Sequence, residues 1–281
     1  MGTYLNCYEI LTNVRIALGE YTELLVQGGN QPGYLPNSYL LNQINNAQRY
    51  IWSVLFKDFQ EQFLTSASLT VAASAATLPA DCFKIKRYED DNGNKIEPMT
   101  VDSKHIEDET ASQYHYYRYG NTLRIDEDGL SGTYTLWYYT RPRDITCGMS
   151  SAGGAKSLTL ATSARKEADY YNNMKIENVT DDWVDTISDY SAARVCTISA
   201  ETGAASKYYG LISELDEIFH PLIAERAILM VRPHAKDPIR ITPQDIQMFN
   251  DNFNETLAAY AGMAQGDVTP NDTFAAFEAI L

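Results

Sequence analysis

The sequence predicts an α+β protein with three parts: a helical bundle layer built from N- and C-terminal helices, a central antiparallel β region, and an inserted small β module. Three observations predict it. Apolar residues recur at helical spacing near both ends of the chain, strand-like runs with turn signals fill the middle, and flexible residues, glycine-rich over 147–156, bracket the block 157–200. The expected organisation is a core of helical bundle plus β region over 1–146 and 211–262, a β module at 147–210 with flexible flanks, and an extended tail at 263–281.

Each element has a local reason. Cys7, Leu11, Val14 and Leu18 are spaced as one helix face within 4–20. A Gly- and Asn-rich loop follows at 28–36. Asn37 or Ser38 caps a second helix whose stripe is Leu41, Ile44, Ala47 or Gln48, Ile51 and Leu55. Helices this short need a packing partner, so the pair reads as a helical hairpin. Strand texture starts at 63–71 and continues through 76–81. Phe83, Ile85 and Arg87 then alternate with Lys84, Lys86 and Tyr88, and Asn92-Gly93 marks a hairpin. A further β unit at 114–141 contains runs at 119–125 and 133–139 around a turn at 126–129. Residues 147–156 read as a linker. Strands are then expected at 158–160, 174–176, 183–187 and 195–198. A helix over 215–231 carries Leu215, Ile218, Leu222 and Leu229. The last helix opens on Thr242 as cap and Pro243 in its first turn, with Ile246, Phe249, Phe253, Leu257 and Tyr260 as its apolar face. Gly266, Pro270 and Asn271 interrupt the pattern beyond it.

Composition bounds the function. With 44% hydrophobic and 21% charged residues in 281, the chain has enough apolar material to fold, which excludes disorder throughout. No run approaches the roughly 20 apolar residues of a membrane helix. The first six residues lack the basic and apolar regions of a signal peptide, so a soluble, non-exported chain is expected. The 22 basic against 37 acidic residues give a net charge of −15, which repels phosphate and anionic membranes. Cys7, Cys82, Cys147 and Cys196 form no C-x-x-C pair and read as buried thiols. The 20 tyrosines suit strands and interfaces.

No catalytic, cofactor or metal constellation emerges. The stretch 148–157 nearly spells a phosphate-binding loop, but Gly154 stands where the lysine must follow Gly153, and Lys156 comes too late. Asp90, Asn92 and Asn94 lack the glycine of a calcium loop, and Val101 occupies the place of its bidentate Glu. Asp181, Asp182 and Asp185 read as a solvated loop and strand edge. His105, His115, His220 and His234 have no zinc spacing, and His220 reads as a surface or capping residue beside Pro221. Arg141-Pro142-Arg143 is a small basic spot, expected to pair with the chain's own carboxylates. Residues 114–119, rich in tyrosine, read as a strand or an interface. A non-enzyme is the resulting expectation.

The order of segments resembles the head-to-tail adaptor (connector) proteins of short-tailed and some long-tailed bacteriophages. Leu41-Asn42-Gln43-Ile44-Asn45-Asn46-Ala47-Gln48, followed by Ile51-Trp52, is similar to their second helix. Leu78-Pro79-Ala80-Asp81-Cys82-Phe83 is similar to their strand-ending turn, and Gly120 to Ile125 to a strand. Tyr138-Tyr139-Thr140-Arg141-Pro142 is similar to a later strand end, and Phe219 to Ile223 to the start of their long helix. The block 157–200 departs from the pattern. The resemblance implies a virion protein at the head–tail junction, made in the host cytoplasm, with no cofactor and no membrane partner. Its copies would form a homo-oligomeric, dodecameric ring on the portal protein and extend the channel. Genomic DNA would pass through it without specific binding, and tail (nozzle, tube or fibre) proteins would dock below. The C-terminal tail would bind the portal through Phe274, Phe277, Ile280 and Leu281. Extended at roughly 3.3 Å per residue, 264–281 reaches about 60 Å. Two other classes remain open: another tail-tube or tail-hub protein, and a glycan-degrading virion enzyme using an Asp/Glu pair.

Overall fold

The computed structural model describes residues 4–20, 34–100, 114–199 and 206–263. Among the described residues two helices come first, α1 (Cys7–Ala17) and α2 (Asn37–Asp58). Seven strands follow: β1 (Leu64–Val71), β2 (Ala75–Thr77), β3 (Cys82–Glu89), β4 (Lys95–Pro98), β5 (His115–Tyr119), β6 (Thr122–Ile125) and β7 (Gly132–Thr140). Eight shorter ones come next: β8 (Cys147–Met149), β9 (Ala152–Gly154), β10 (Ser157–Thr159), β11 (Lys175–Asn178), β12 (Trp183–Thr186), β13 (Asp189–Tyr190), β14 (Val195–Thr197) and β15 (Tyr208–Leu211). The described chain ends with α3 (His220–Val231) and α4 (Pro243–Met263).

By internal contacts the chain forms two compact units, Met1–Asp58 with Pro142–Leu281, and Phe59–Arg141. The stretch 147–210, expected to stand apart, shares a unit with the helices, and 59–141 is what separates. The reason is packing: β15 and β8 lie against α1, so the change of composition at 147 is not a change of contacts.

In the 59–141 unit the strands form one sheet in the order β1-β7-β3-β4-β5-β6-β2, antiparallel except for the parallel pair β4–β5. Its two edge strands are consecutive in the chain. Ala72 and Ala75 hydrogen-bond across the turn between them, with Ala73 and Ser74 at φ 48° and 61°. The sheet therefore curls upon itself around Leu69, Val71, Ile96, Leu123, Ile125 and Leu136. Tyr88 sits among them, its ring 5.6 Å from that of Tyr134 and 5.5 Å from that of Tyr116. The Asn92-Gly93 hairpin forms as expected, with the Asp90 carboxylate accepting from the Asn92 and Asn94 amides and Gly93 at φ 82°. The expected alternation on β3 does not hold. Register shifts between Cys82 and Lys84 and between Ile85 and Arg87 turn Cys82 and Tyr88 inward and leave Phe83 exposed. Each shift resets the two-residue period. Residues 119–125 are not one strand but the two-residue β5–β6 hairpin, in which Tyr119 faces Thr122 and Gly120 adopts φ 59°.

In the other unit α3 is the helix against which α1, α2 and α4 pack. Asn6 caps α1 in a capping box with Glu9 and also donates to Glu177 of β11 at 2.9 Å. At the far end of α1 the buried Arg15 binds Glu20, the Leu35 carbonyl and Asn37 at the start of α2. The stripe Leu41, Ile44, Ala47, Gln48, Ile51 and Leu55 of α2 is buried as its spacing predicts. Two small sheets complete the unit, β13-β14-β10-β9 and β12-β11-β15-β8. The expected linker 147–156 thus holds strands β8 and β9, because its glycines pair in ladders rather than loop out. Strand β15, which sequence periodicity misses, joins β8 in linking the second sheet to α1. Pro221 delays the third helix: a 3-10 turn at Glu217–Phe219 precedes α3, which starts at His220 rather than 215. Thr242 and Asp245 cap α4 reciprocally, and Phe249, Phe253 and Leu257 are buried beneath it.

Candidate functional site

The segment 143–146, which returns the chain to the helical unit, is stitched to α2 by side chains of that helix. The Asn45 amide accepts from the Ile145 N–H at 2.8 Å and donates to the Ile145 carbonyl at 3.0 Å, as a strand partner would. One turn on, Gln48 donates to the Arg143 carbonyl at 2.8 Å. Arg49 and Arg165 both reach the Asp144 carboxylate. Helical spacing of i and i+3 puts Asn45 and Gln48 on one face, and these polar groups satisfy backbone that is otherwise buried.

Arg143 is the centre of this seam. Its guanidinium pairs with Glu214 and donates to the carbonyls of Tyr170 and Asn172 at 2.9 and 2.7 Å. The Arg143 side chain is 9% exposed and that of Glu214 28%. The basic spot read at Arg141–Arg143 thus turns one of its two arginines inward, onto one of the chain's own carboxylates. The second polar junction is His220, which is buried rather than at the surface. Nδ1 accepts from the Leu5 N–H at 3.2 Å and Nε2 lies 3.0 Å from the Leu215 carbonyl, so the ring is held as the neutral Nε2–H tautomer. Burial lowers its pKa below the ordinary value, against the opposing pull of the Leu215 carbonyl and the Glu217 and Asp216 carboxylates. The unfolded chain therefore takes up a proton before the folded one does. Stability is full above pH about 6.5 and is expected to decline as the pH falls below it. Urea midpoints at pH about 7.5 and 5.5 should differ less for His220→Gln than for the parent. An equal difference would remove His220 as the cause.

A cavity of about 380 Å³ opens beside His220, with Tyr4, Val184 and Leu215 among its walls and Asp216, Glu217 and Lys175 at its rim. The other candidates disperse. Lys156 is exposed in the β9–β10 hairpin, where a Cβ on Gly154 would meet the Ser157 hydroxyl. Asp181 binds Lys207 and Asn178, whereas Asp185 binds Ser199. His115 pairs with Asp126, and His234 meets the Tyr39 ring edge-on. Among 114–119, Tyr116 and Tyr117 are buried and Tyr119, at the hairpin tip, is 70% exposed. All four cysteines are free and buried. Among the described residues no three His, Cys, Asp or Glu side chains are placed to hold a metal ion, and no helix is long and apolar enough to cross a membrane. Phe274, Phe277, Ile280 and Leu281, expected to bind the portal, lie outside the described residues, as does His105.

Periodicity did not find the seam, since Asn45 and Gln48 look like lapses in an apolar stripe. Two amides one turn apart on an otherwise buried face are the signal that marks it. Residues 5–152 match the family model described as SU10 adaptor protein, a stretch that holds the α2 and 143–146 sides of the seam but not Arg165, Tyr170, Asn172 and Glu214. No curated protein matches the chain.

Proposed function

This chain belongs to the SU10 adaptor protein family, and from that premise we propose that it is the head-to-tail adaptor of a phage virion. In this reading its copies form a ring, dodecameric as in the connectors it resembles, on the portal protein. The ring extends the DNA channel and offers its far side to tail components. The helices at the two ends of the chain form the layer that packs between neighbours. A net charge of −15 per copy lets DNA pass without adhering where the acids face the channel.

The observation that carries the reading is the family match over 5–152, which covers α1, α2 and all of the 59–141 unit. Light scattering and negative-stain microscopy, with and without purified portal rings, test it. A protein that stacks as a ring on portals supports the adaptor. One that ignores portals overturns it in favour of a tail-tube or tail-hub component.

The tail contributes apolar anchors at Phe274, Phe277, Ile280 and Leu281 after a run broken by Gly266 and Pro270. Deleting 264–281 is expected to leave the far-ultraviolet circular dichroism and thermal midpoint of the folded chain in place while abolishing capture by portal rings. Undiminished capture would assign portal binding to another surface.

A further inference from the structure

We propose that the loop 236–240 of one copy seats in the cavity beside His220 of the next copy, so that a head-to-tail contact joins neighbours. The proposal rests on the ring reading above and names the surfaces that would build it.

The cavity combines apolar walls with an acidic rim. Tyr4 and Val184 are 37% and 41% exposed there, and Asp216 and Glu217 are exposed at its edge beside Lys175. The third rim carboxylate, Glu214, is already held by Arg143. The surroundings are acidic as well: after burial itself, the charges of Glu177, Glu9, Asp182 and Glu217 raise the Tyr4 phenol pKa.

The loop is the complement. Lys236, Asp237, Pro238, Ile239 and Arg240 are all exposed, which sets two cations and one anion around a Pro-Ile apolar pair. Its C-terminal end is tied down, because the Ile239 N–H donates to the Arg232 carbonyl at 3.2 Å and the cap of α4 follows directly at Thr242. A preformed loop loses little entropy on docking.

Position makes the contact intermolecular. His220 begins α3, and the loop follows its end at Val231; twelve residues at 1.5 Å each set them about 18 Å apart. A protomer therefore offers the plug at one end of α3 and the socket at the other. Such heterologous surfaces repeat from copy to copy and close into a ring when the rotation permits.

Charge reversal tests the pairing. Glu217→Lys and Arg240→Glu are each expected to reduce ring formation about tenfold, scored by native mass spectrometry with and without portal rings. The double variant, which restores opposite charges across the contact, should return to within about threefold of the parent. Ile239→Ser on the exposed loop should lower assembly without shifting the thermal midpoint, which separates loss of docking from loss of folding. Single reversals that assemble like the parent, or a double variant no better than the worse single one, overturn this contact and leave the adaptor reading intact. A parent that forms no ring alone or on portals overturns both.

Discussion

Replacing Glu214 with alanine is expected to destabilise the folded chain by about 1.5–3 kcal/mol, because the buried Arg143 guanidinium loses a charged partner that is itself partly exposed to solvent. Two carbonyls, of Tyr170 and Asn172, would still accept from it, but neither carries a balancing charge. Glu214 also accepts from the Arg143 N–H at 2.8 Å, so its loss leaves a backbone donor without this partner. The loss appears as a lower urea midpoint at unchanged slope. Glu214→Gln keeps the hydrogen-bonding shape without the charge and should fall between the two. A Glu214→Ala midpoint equal to the parent's would mean that the seam closes without this ion pair.

Gly210→Ala is expected to cost about 2–4 kcal/mol, from about 1–3 for overpacking and about 1 for the lost cap. A Cβ at Gly210 would collide with Asn6 Oδ1 and stand 2.8 Å from the Tyr8 nitrogen. Asn6 Oδ1 is the atom that caps α1, accepting from the Tyr8 and Glu9 amides at 2.8 and 3.0 Å. The clash therefore pushes α1 off β15 and uncaps it together. Thermal unfolding would register the change, and amide exchange should rise first in residues 7–17. A Gly210→Ala protein with the parent's midpoint would show that the strand can retreat from the helix.

How much of this was legible in the sequence depends on the distance over which each interaction acts. The stripe of α2, the Asn92-Gly93 hairpin and the Thr242 cap are set by residues within a few positions of one another, and periodicity and turn chemistry locate them. Strand β15 escaped because its four residues, Tyr208 to Leu211, are a strand only through partners on β8 and β11. The face of β3 reversed because bulges have no sequence period. The seam is the least legible part of the candidate site. Asn45 bonds Ile145, a hundred residues away, and Arg143 bonds Glu214, 71 residues away. His220 answers Leu5 across 215 positions. The proposed portal anchors were read from the sequence alone.

That last separation also governs the order of synthesis. Residues 59–141 hold their own core and pair β1 with β7 at the base, so this unit can complete as soon as it leaves the ribosome. Helices α1 and α2 emerge earlier, yet α3 and β15, which cover them, are translated well over a hundred residues later. Helices α1 and α2 are thus made well before the elements that cover them, and their apolar stripes wait uncovered meanwhile. Nascent chains stalled at residue 200 should yield to protease within 1–58 and resist it within 59–141. Equal resistance in both would mean that the helical hairpin finds interim cover. For a virion component, that interval is when a chaperone or another chain has most access to it.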